Sequence, residues 1–267
     1  MTDLLHYETI LRLGCFFTVL LAMMFWEWRA PRRTLTLARI RRWPANLGII
    51  VVDSVVLRLV FPMLAVGAAG LAEANGWGLF RWLHIPLWLA LIASLLLLDL
   101  AIYTQHVVFH KIPALWRLHR MHHTDLDFDV TTALRFHPLE IVLSMLIKLA
   151  LVVLLGAPPV AVMLFEIILN ATAMFNHGNV GLPDGLDRRL RWVLVTPDMH
   201  RVHHSIRVEE TDSNFGFNLP WWDRLFGTYR EQPQDGHSGM TIGLEYFRDW
   251  RATRLYGLLL QPFLIEK

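Results

Sequence analysis

Five long apolar stretches alternate with polar segments along the chain, at about 9–26, 47–71, 83–106, 139–155 and 159–175. A helix needs about 20 apolar residues to cross a bilayer, so each stretch is a candidate span. The last two stretches are separated only by a short uncharged segment that breaks helices, Gly156-Ala157-Pro158-Pro159. The pattern predicts an all-α, polytopic membrane helix bundle of four to five spans, in which the last two form an antiparallel hairpin.

Composition supports a membrane protein and excludes several other classes. The chain is 54% hydrophobic and 18% charged, whereas soluble domains carry about 25% charged residues. A single cysteine, Cys15, excludes an intramolecular disulfide and a thiolate metal site. The arginines lie at the ends of the apolar stretches rather than between exposed aromatic residues, so we expect no nucleic-acid partner.

Positive charges predict the orientation of the bundle. Arginines and lysines gather after the first and third stretches and again after the fifth, as in Arg39, Lys111 and Arg188. By the positive-inside rule the N-terminus lies outside and the C-terminus in the cytoplasm, and the membrane is the inner one if the protein is bacterial. Residues 1–8 contain Asp3 and Glu8 but no Lys or Arg, so we predict a retained first span rather than a cleavable signal peptide.

Ten of the 13 histidines lie between His106 and His204, and nine of them have the spacing of metal ligands. Residues three or four apart share one face of a helix, and neutral imidazole is the commonest protein ligand for several transition metals. One zinc ion takes about four ligands, so nine indicate two ions in a histidine-only cage on the cytoplasmic side. The predicted ligands are His106, His110, His119, His122, His123, His177, His200, His203 and His204.

Acidic residues near these histidines are candidates to accept the second ring N–H of a metal-bound imidazole. Asp99 precedes His106 by two helical turns, and Asp198 adjoins His200. Asp125, Asp127, Asp129, Glu209, Glu210 and Asp212 also follow the clusters. The alternative for these acids is a solvated surface position.

Several motifs between residues 95 and 230 resemble one family. They are Asp99-x3-Tyr103-x2-His106-x3-His110, Trp116-x2-His119-Arg120-Met121-His122-His123, Phe136-His137-Pro138-Leu139-Glu140, Asn176-His177, His200-Arg201-Val202-His203-His204, Asn214-Phe215-Gly216 and 221–228. Together they are similar to the membrane fatty acid hydroxylase and sterol desaturase superfamily. The corresponding division of the chain is residues 1–94 as N-terminal transmembrane helices, 95–230 as the catalytic domain, and 231–267 as a cytoplasmic or interfacial tail.

This resemblance implies a non-haem di-iron enzyme that uses O2 and two electrons to hydroxylate or desaturate a lipid of sterol, fatty acyl or alkylglycerol type. It implies the same nine histidines as iron ligands, with zinc able to replace iron during purification. Some relatives have a further histidine where this chain has Ala173. Either His137 fills that gap or it caps the fourth apolar helix, and Asn176 is a candidate to hold a metal-bound water.

The electrons must come from another protein. The sequence has no Gly-x-Gly-x-x-Gly fingerprint, no cysteine set for an iron–sulfur cluster and no haem domain. We therefore expect an external ferredoxin, cytochrome or reductase, for which the arginine-rich face is a candidate docking surface, although anionic lipid would bind there equally well. Trp221, Trp222 and Phe226 either line a mouth at the membrane interface or cap the histidine cage.

Two other functions remain as alternatives. A zinc-dependent membrane hydrolase would use the same ligand type, but catalytic zinc sites usually have three protein ligands, and the His-Glu-x-x-His signature is absent. The other is a non-catalytic metal-binding or transport protein, although transport predicts ligands near the bilayer midplane rather than at one face.

Overall fold

A computed structural model describes residues 2–265, and within that range the protein is all-helical. Three 3-10 helices, Val130–Leu134, Trp250–Ala252 and Gln261–Phe263, accompany the α-helices. The α-helices are α1 Thr2–His6, α2 Glu8–Arg29, α3 Arg39–Val60, α4 Ala65–Ala74, α5 Leu79–Trp82, α6 Leu87–Lys111, α7 Pro113–His123, α8 Pro138–Leu155, α9 Pro159–Asn176, α10 Asp184–Leu190, α11 Pro197–His203, α12 Val208–Thr211, α13 Trp221–Leu225, α14 Gly236–Gly239 and α15 Leu255–Leu260.

Five segments are long and apolar enough to cross a membrane, and they confirm the predicted polytopic all-α fold. They are Glu8–Arg29, Arg39–Trp82, Leu87–Lys111, Pro138–Leu155 and Pro159–Asn176. The side of the membrane that each end faces stays a prediction.

The second segment contains the stretch predicted at 47–71 but is not one continuous helix. It is divided, because α3 ends at Val60 and α4 begins only at Ala65. Phe61 is extended, with φ −112° and ψ 122°, and it precedes Pro62. Proline lacks a backbone N–H and disfavours a helical conformation in the residue before it, which ends α3 inside a continuous apolar run.

Helix α9 lies at the centre of the bundle. In its most apolar part 56% of the residues are buried, against 11% in the corresponding part of α2. Phe165 and Met163 of α9 pack in one apolar core with Leu98 of α6 and Val152 of α8. The outer helices instead expose large apolar side chains, such as Phe25 of α2, as lipid-facing helices do.

Prolines begin the helices that surround the histidines. Pro113, Pro138, Pro159 and Pro197 each stand in the first turn of a helix. The first-turn N–H groups have no partner within the helix, so proline costs nothing there and its fixed φ favours helix initiation. The chain can therefore turn sharply and start a new helix at each of these prolines, and Pro159 does so at the end of α9 that is far from His177.

The segment predicted as a tail packs against the rest of the protein. Leu258 of α15 is buried with Ile49 of α3 and Met121 of α7. Arg117 of α7 donates a 2.7 Å hydrogen bond to the carbonyl oxygen of Pro262. Residues 231–265 therefore close over α7 and its histidines.

Candidate metal centre

The nine predicted ligand histidines lie in two compact groups. One nitrogen of each member lies within 4.8 Å of those of the other members of its group. The five-histidine group contains His106, His110, His119, His123 and His203. The four-histidine group contains His122, His177, His200 and His204.

The two His-His pairs place the groups side by side. Consecutive residues of a helix point about 100° apart, so each pair contributes one ring to each group. His123 and His203 belong to the first group, whereas His122 and His204 belong to the second. The rings of His123 and His204 stack across the boundary with centroids 4.6 Å apart.

Backbone carbonyls fix the ring orientation of three histidines. The Nδ1 atoms of His106 and His203 lie 2.7 Å from the carbonyl oxygens of Phe215 and Ser213. Nδ1 of His177 lies 2.8 Å from the carbonyl oxygen of Ala173, which belongs to the helix that His177 ends. A carbonyl only accepts, so Nδ1 carries the proton in each ring and Nε2 presents a lone pair.

The lone pairs of His106 and His203 face each other in the five-histidine group, and His177 points its lone pair at two further rings of the four-histidine group. Nε2 of His203 lies 3.0 Å from Nε2 of His106, and Nε2 of His177 lies 3.1 Å from those of His122 and His200. Opposed lone pairs repel each other in a dry interior unless a cation lies between them. Ligand nitrogens stand about 2.1 Å from a bound metal ion, and adjacent ligands of one ion come about as close together as these. The residues therefore fit a metal ion in each group.

Carboxylates orient two more rings. His119 Nδ1 lies 2.7 Å from Oε1 of Glu140, and His110 Nδ1 lies 3.2 Å from Oδ1 of Asp212. The Nε2 atoms of both histidines are buried and have no partner among the described residues. Asp212 was among the acids expected here. Glu140 was not, although an acid in the first turn of an apolar helix beside the histidines was a visible signal.

Burial keeps the histidines that follow α6 in the two groups neutral. Desolvation lowers the pKa of His119 and of His177 to about 3. The pKa values of His122, His123, His200, His203 and His204 are likewise lowered well below the usual value, first by burial and then by repulsion from neighbouring rings. A neutral imidazole is the form that binds metal, so the cluster is ready for ligation at neutral pH.

The carboxylates of Asp99 and Asp198 bind groups other than the rings of the predicted ligands. Asp99 accepts hydrogen bonds from Asn218 Nδ2 at 2.7 Å and Trp222 Nε1 at 2.8 Å. Asp198 pairs with Arg32 at 3.1 Å and with Arg201. Both acids therefore brace segments next to the histidines.

His137 and Asn176 lie outside the two groups. His137 is the N-cap of α8, where Nδ1 accepts the N–H of Leu139 at 3.2 Å, so it occupies the capping position rather than a position within either group. Asn176 is buried, and its Nδ2 donates to the carbonyl oxygen of Phe217 at 2.9 Å. Its Oδ1 atom has no partner among the described residues, which keeps Asn176 a candidate to hold a water molecule.

The acidic residues that follow His123 in the chain bind the start of α3 and the segment that leads into it. Asp125 and Asp129 pair with Arg42 at 2.6 and 2.8 Å, and all three side chains are almost fully buried. Asp127 accepts the backbone N–H groups of Thr36 and Leu37. Arg42, one of the arginines between the first two apolar stretches, is therefore part of the protein core.

The segment after α12 has a structural role that its motif did not reveal. Asp223 accepts the N–H groups of Phe215 at 2.8 Å and Gly216 at 2.9 Å, and it thereby holds the backbone that presents carbonyls to His106 and His203. Burial raises the pKa of Asp223 to about 6.

The aromatic residues of this segment differ in their positions. Trp222 donates to Asp99, and Phe226 is exposed but stacks on Tyr103 with centroids 5.6 Å apart. Trp221 is half exposed and donates to the Trp192 carbonyl. These three aromatic side chains therefore contact α6 and the loop after α10.

Comparison with known proteins identifies the family. A sequence model described as fatty acid hydroxylase matches residues 91–228, just over half of the chain, and the protein belongs to this family. Similar proteins include an ornithine lipid hydroxylase of Rhizobium tropici, 28% identical over 67% of this chain and 51% of its own length. An alkylglycerol monooxygenase of Xenopus tropicalis is 26% identical over 66% of this chain and 39% of its own.

A human cholesterol 25-hydroxylase is 25% identical over 51% of this chain and 49% of its own length. The chain thus spans about half or less of these relatives. No solved structure matched this chain.

Proposed function

We propose that this protein is a membrane-bound, non-haem di-iron oxidoreductase that uses O2 and electrons from an external donor to hydroxylate a lipid. The observation that carries the proposal is the pair of adjacent, buried histidine groups whose Nε2 atoms lie about 3 Å from one another. Such a cage suits two ions that stay bound through a redox cycle. The relatives bear the names of hydroxylases and monooxygenases, which favours oxygen insertion over desaturation.

The five-histidine group holds one ion and the four-histidine group the other. Iron in this setting supplies the activation of O2, and the overall reaction converts a C–H bond, O2, two electrons and two protons into an alcohol and water. The protein orients the ligands through the Phe215 and Ser213 carbonyls and through Glu140 and Asp212. Zinc is an alternative occupant after purification, since imidazole binds both metals.

Aromatic side chains keep water away from the groups. Phe136 stacks on His122 with ring centroids 4.7 Å apart and an interplanar angle of 10°. Phe217 lies 5.3 Å from His106, and Phe128 lies 5.0 Å from His204. A dry site limits side reactions with water. It also strengthens the electrostatic interaction between the ions and the fixed dipoles around them.

A lipid substrate follows from the position of the groups at the end of apolar helices. His106 and His110 lie in the last two turns of α6, whose preceding turns expose apolar side chains such as Ile92. An acyl chain or sterol in the bilayer can reach this end of the bundle sideways. The relatives' names cover ornithine lipids, alkylglycerols and cholesterol, so the proposal extends to lipids as a class, with the site on the cytoplasmic side.

The test is to load the purified protein with iron under anaerobic conditions and then add lipid extract, a reductant and 18O2. We expect two irons per chain and a product that carries one 18O atom in a hydroxyl group. An alkene without 18O would identify a desaturase. One zinc per chain with lipid cleavage in the absence of O2 would instead identify a hydrolase and overturn the proposal.

A further inference from the structure

A groove of about 720 Å³ opens beside the five-histidine group, between α7, α12 and residues 241–246. Its walls include Trp116, Asp212, Glu209, Asp235 and Glu245. His110 is the one ligand histidine in its lining. The groove therefore meets the metal centre at the edge of a single ligand rather than between the two groups.

The groove is acidic. Its lining has four carboxylates and one guanidinium, that of Arg207, which already pairs with Asp235 at 3.0 Å. Lys111 at the rim pairs with Asp212 at 2.7 Å. Glu209 and Glu245 are exposed, and neither forms an ion pair with another residue in the range 2–265. These two negative charges are available to a partner.

Short contacts connect the groove to two ligands of the five-histidine group. Asp212 reaches Nδ1 of His110, and the Trp116 ring lies 4.8 Å from His110 and 5.4 Å from His123. Trp116 Nε1 donates a 3.1 Å hydrogen bond to the hydroxyl of Tyr246. Electron transfer slows steeply with distance, so a site that is separated from the ion by one imidazole is well placed for it.

We propose that this groove is the docking surface of a one-electron carrier protein with a basic face, and that electrons enter the five-histidine group through the edge of His110. Two carriers each lose one electron per turnover, which supplies the two electrons of the hydroxylation. The inference rests on the proposed function. It also reverses the charge expected of the carrier from the arginine-rich segments, because the unpaired charges that line the groove beside His110 are carboxylates.

The path can be tested in the reverse direction, with a basic haem protein as the probe. The iron-loaded, full-length protein is reduced without O2 and mixed with ferric cytochrome c, whose haem absorbance reports one electron gained per molecule as iron is oxidised. We expect the rate to fall as salt rises, since added ions screen the attraction. Cytochrome c with succinylated lysines, which reverses the charge of the probe, should react at least about tenfold more slowly.

Charge reversal locates the docking surface. Glu209→Lys and Glu245→Lys together should slow haem reduction about tenfold at low salt, while Asp184→Lys, an exposed reversal on α10, should leave the rate unchanged. Oxidation by benzoquinone, a small neutral oxidant, should stay equal in all variants and so show that the centre remains loaded. Equal haem rates in the groove and α10 variants would overturn the proposal.

Two further readouts separate the possible failures. If the groove variants keep the haem rate but raise the KM for a lipid with an amine headgroup, the groove binds substrate and the docking proposal is wrong. Iron content and 18O incorporation are measured on the same preparations. Failure of those two measurements in the unmodified protein overturns the proposed function, whereas their success with unaltered haem rates overturns only the docking surface.

Discussion

The two histidine groups are built from the same residue type but are held in different ways. Four of the five rings in the first group have a partner for Nδ1 outside the group, either a carbonyl or a carboxylate. In the second group Nδ1 of His177 bonds only to its own helix, and the Nδ1 atoms of His122 and His204 have no partner among the described residues. Phe136 and Phe128 pack against that second group instead.

This difference predicts that two ions bound in the two groups would not be equivalent. Partners on the second ring nitrogen fix the tautomer and the direction of the lone pair, and their removal typically weakens metal binding about 10–100-fold. The five-histidine group should therefore bind its ion more tightly. It also borders the acidic groove, whereas the four-histidine group is fully enclosed. We expect chelators to remove the two ions in two distinct steps.

Removing one ligand from each group should have the largest effect. His203→Ala and His122→Ala each leave a group with one imidazole fewer, and we expect lipid oxidation to fall to background with about one ion left per chain. Metal analysis by mass spectrometry, together with product formation, checks this. His84→Asn is the control, because His84 is exposed, has φ 52° and lies outside both groups. Two retained ions with full activity in His203→Ala would refute the ligand assignment.

Glu140 offers a sharper test, because it touches only the five-histidine group. Glu140→Ala removes the acceptor for His119 and should weaken one of the two ions about 10–100-fold while the other binds normally. Glu140→Gln keeps an acceptor oxygen but loses the charge, so an intermediate effect is expected. Stepwise competition with a chelator measures both affinities. Equal weakening of both ions would contradict the division into two groups.

The spans and the histidine spacing could be read from the chain, because both depend on local periodicity. The break at Pro62 was visible as a residue but lay within an uninterrupted apolar run. The partition of the histidines was not visible, since it depends on how α7 and α11, which are separated by about 70 residues of chain, come together.

Asp198 shows why sequence proximity misleads in choosing partners. Residues two apart on a helix point in nearly opposite directions, and Asp198 accordingly faces Arg201 and Arg32 rather than the ring of His200. Asp99 does lie on α6 before His106, but its partners in 218–222 come from a distant part of the chain. Long-range contacts of this kind leave no local signature.

A smaller effect is expected from the backbone that serves the first group. A Cβ at Gly216 would lie 2.7 Å from Oδ2 of Asp223 and 2.9 Å from the Leu219 carbonyl oxygen, so Gly216→Ala should destabilise the fold by about 1–3 kcal/mol. The melting temperature in detergent measures this. Gly185→Ala on α10 is the matched control, because its Cβ would meet nothing within 4 Å. A helical alanine should even add about 0.5–1 kcal/mol there. Equal melting temperatures in the two variants would show that the segment adapts.

The smallest effect is confined to acid pH and concerns the support of α11. His237 Nε2 lies 3.6 Å from Oδ2 of Asp198, which in turn pairs with Arg201 beneath the histidines of that helix. Burial is the main cause that lowers the pKa of His237 to about 4, with Asp198 acting in the opposite direction. The unfolded chain binds the proton at about pH 6.5, so the stability that His237 contributes is complete above that pH and declines as the pH falls towards 4.

That loss should reach about 2 kcal/mol at pH 5, and His237→Gln, which has no titrating group, should not show it. The ligand histidines also titrate in the metal-free protein, but they are shared by both proteins, so their contribution cancels in the difference between the two melting curves. We therefore expect the difference between the variant and the unmodified protein to grow between pH 7 and pH 5. Parallel curves over that range would mean that His237 keeps its ordinary pKa and has no part in supporting α11.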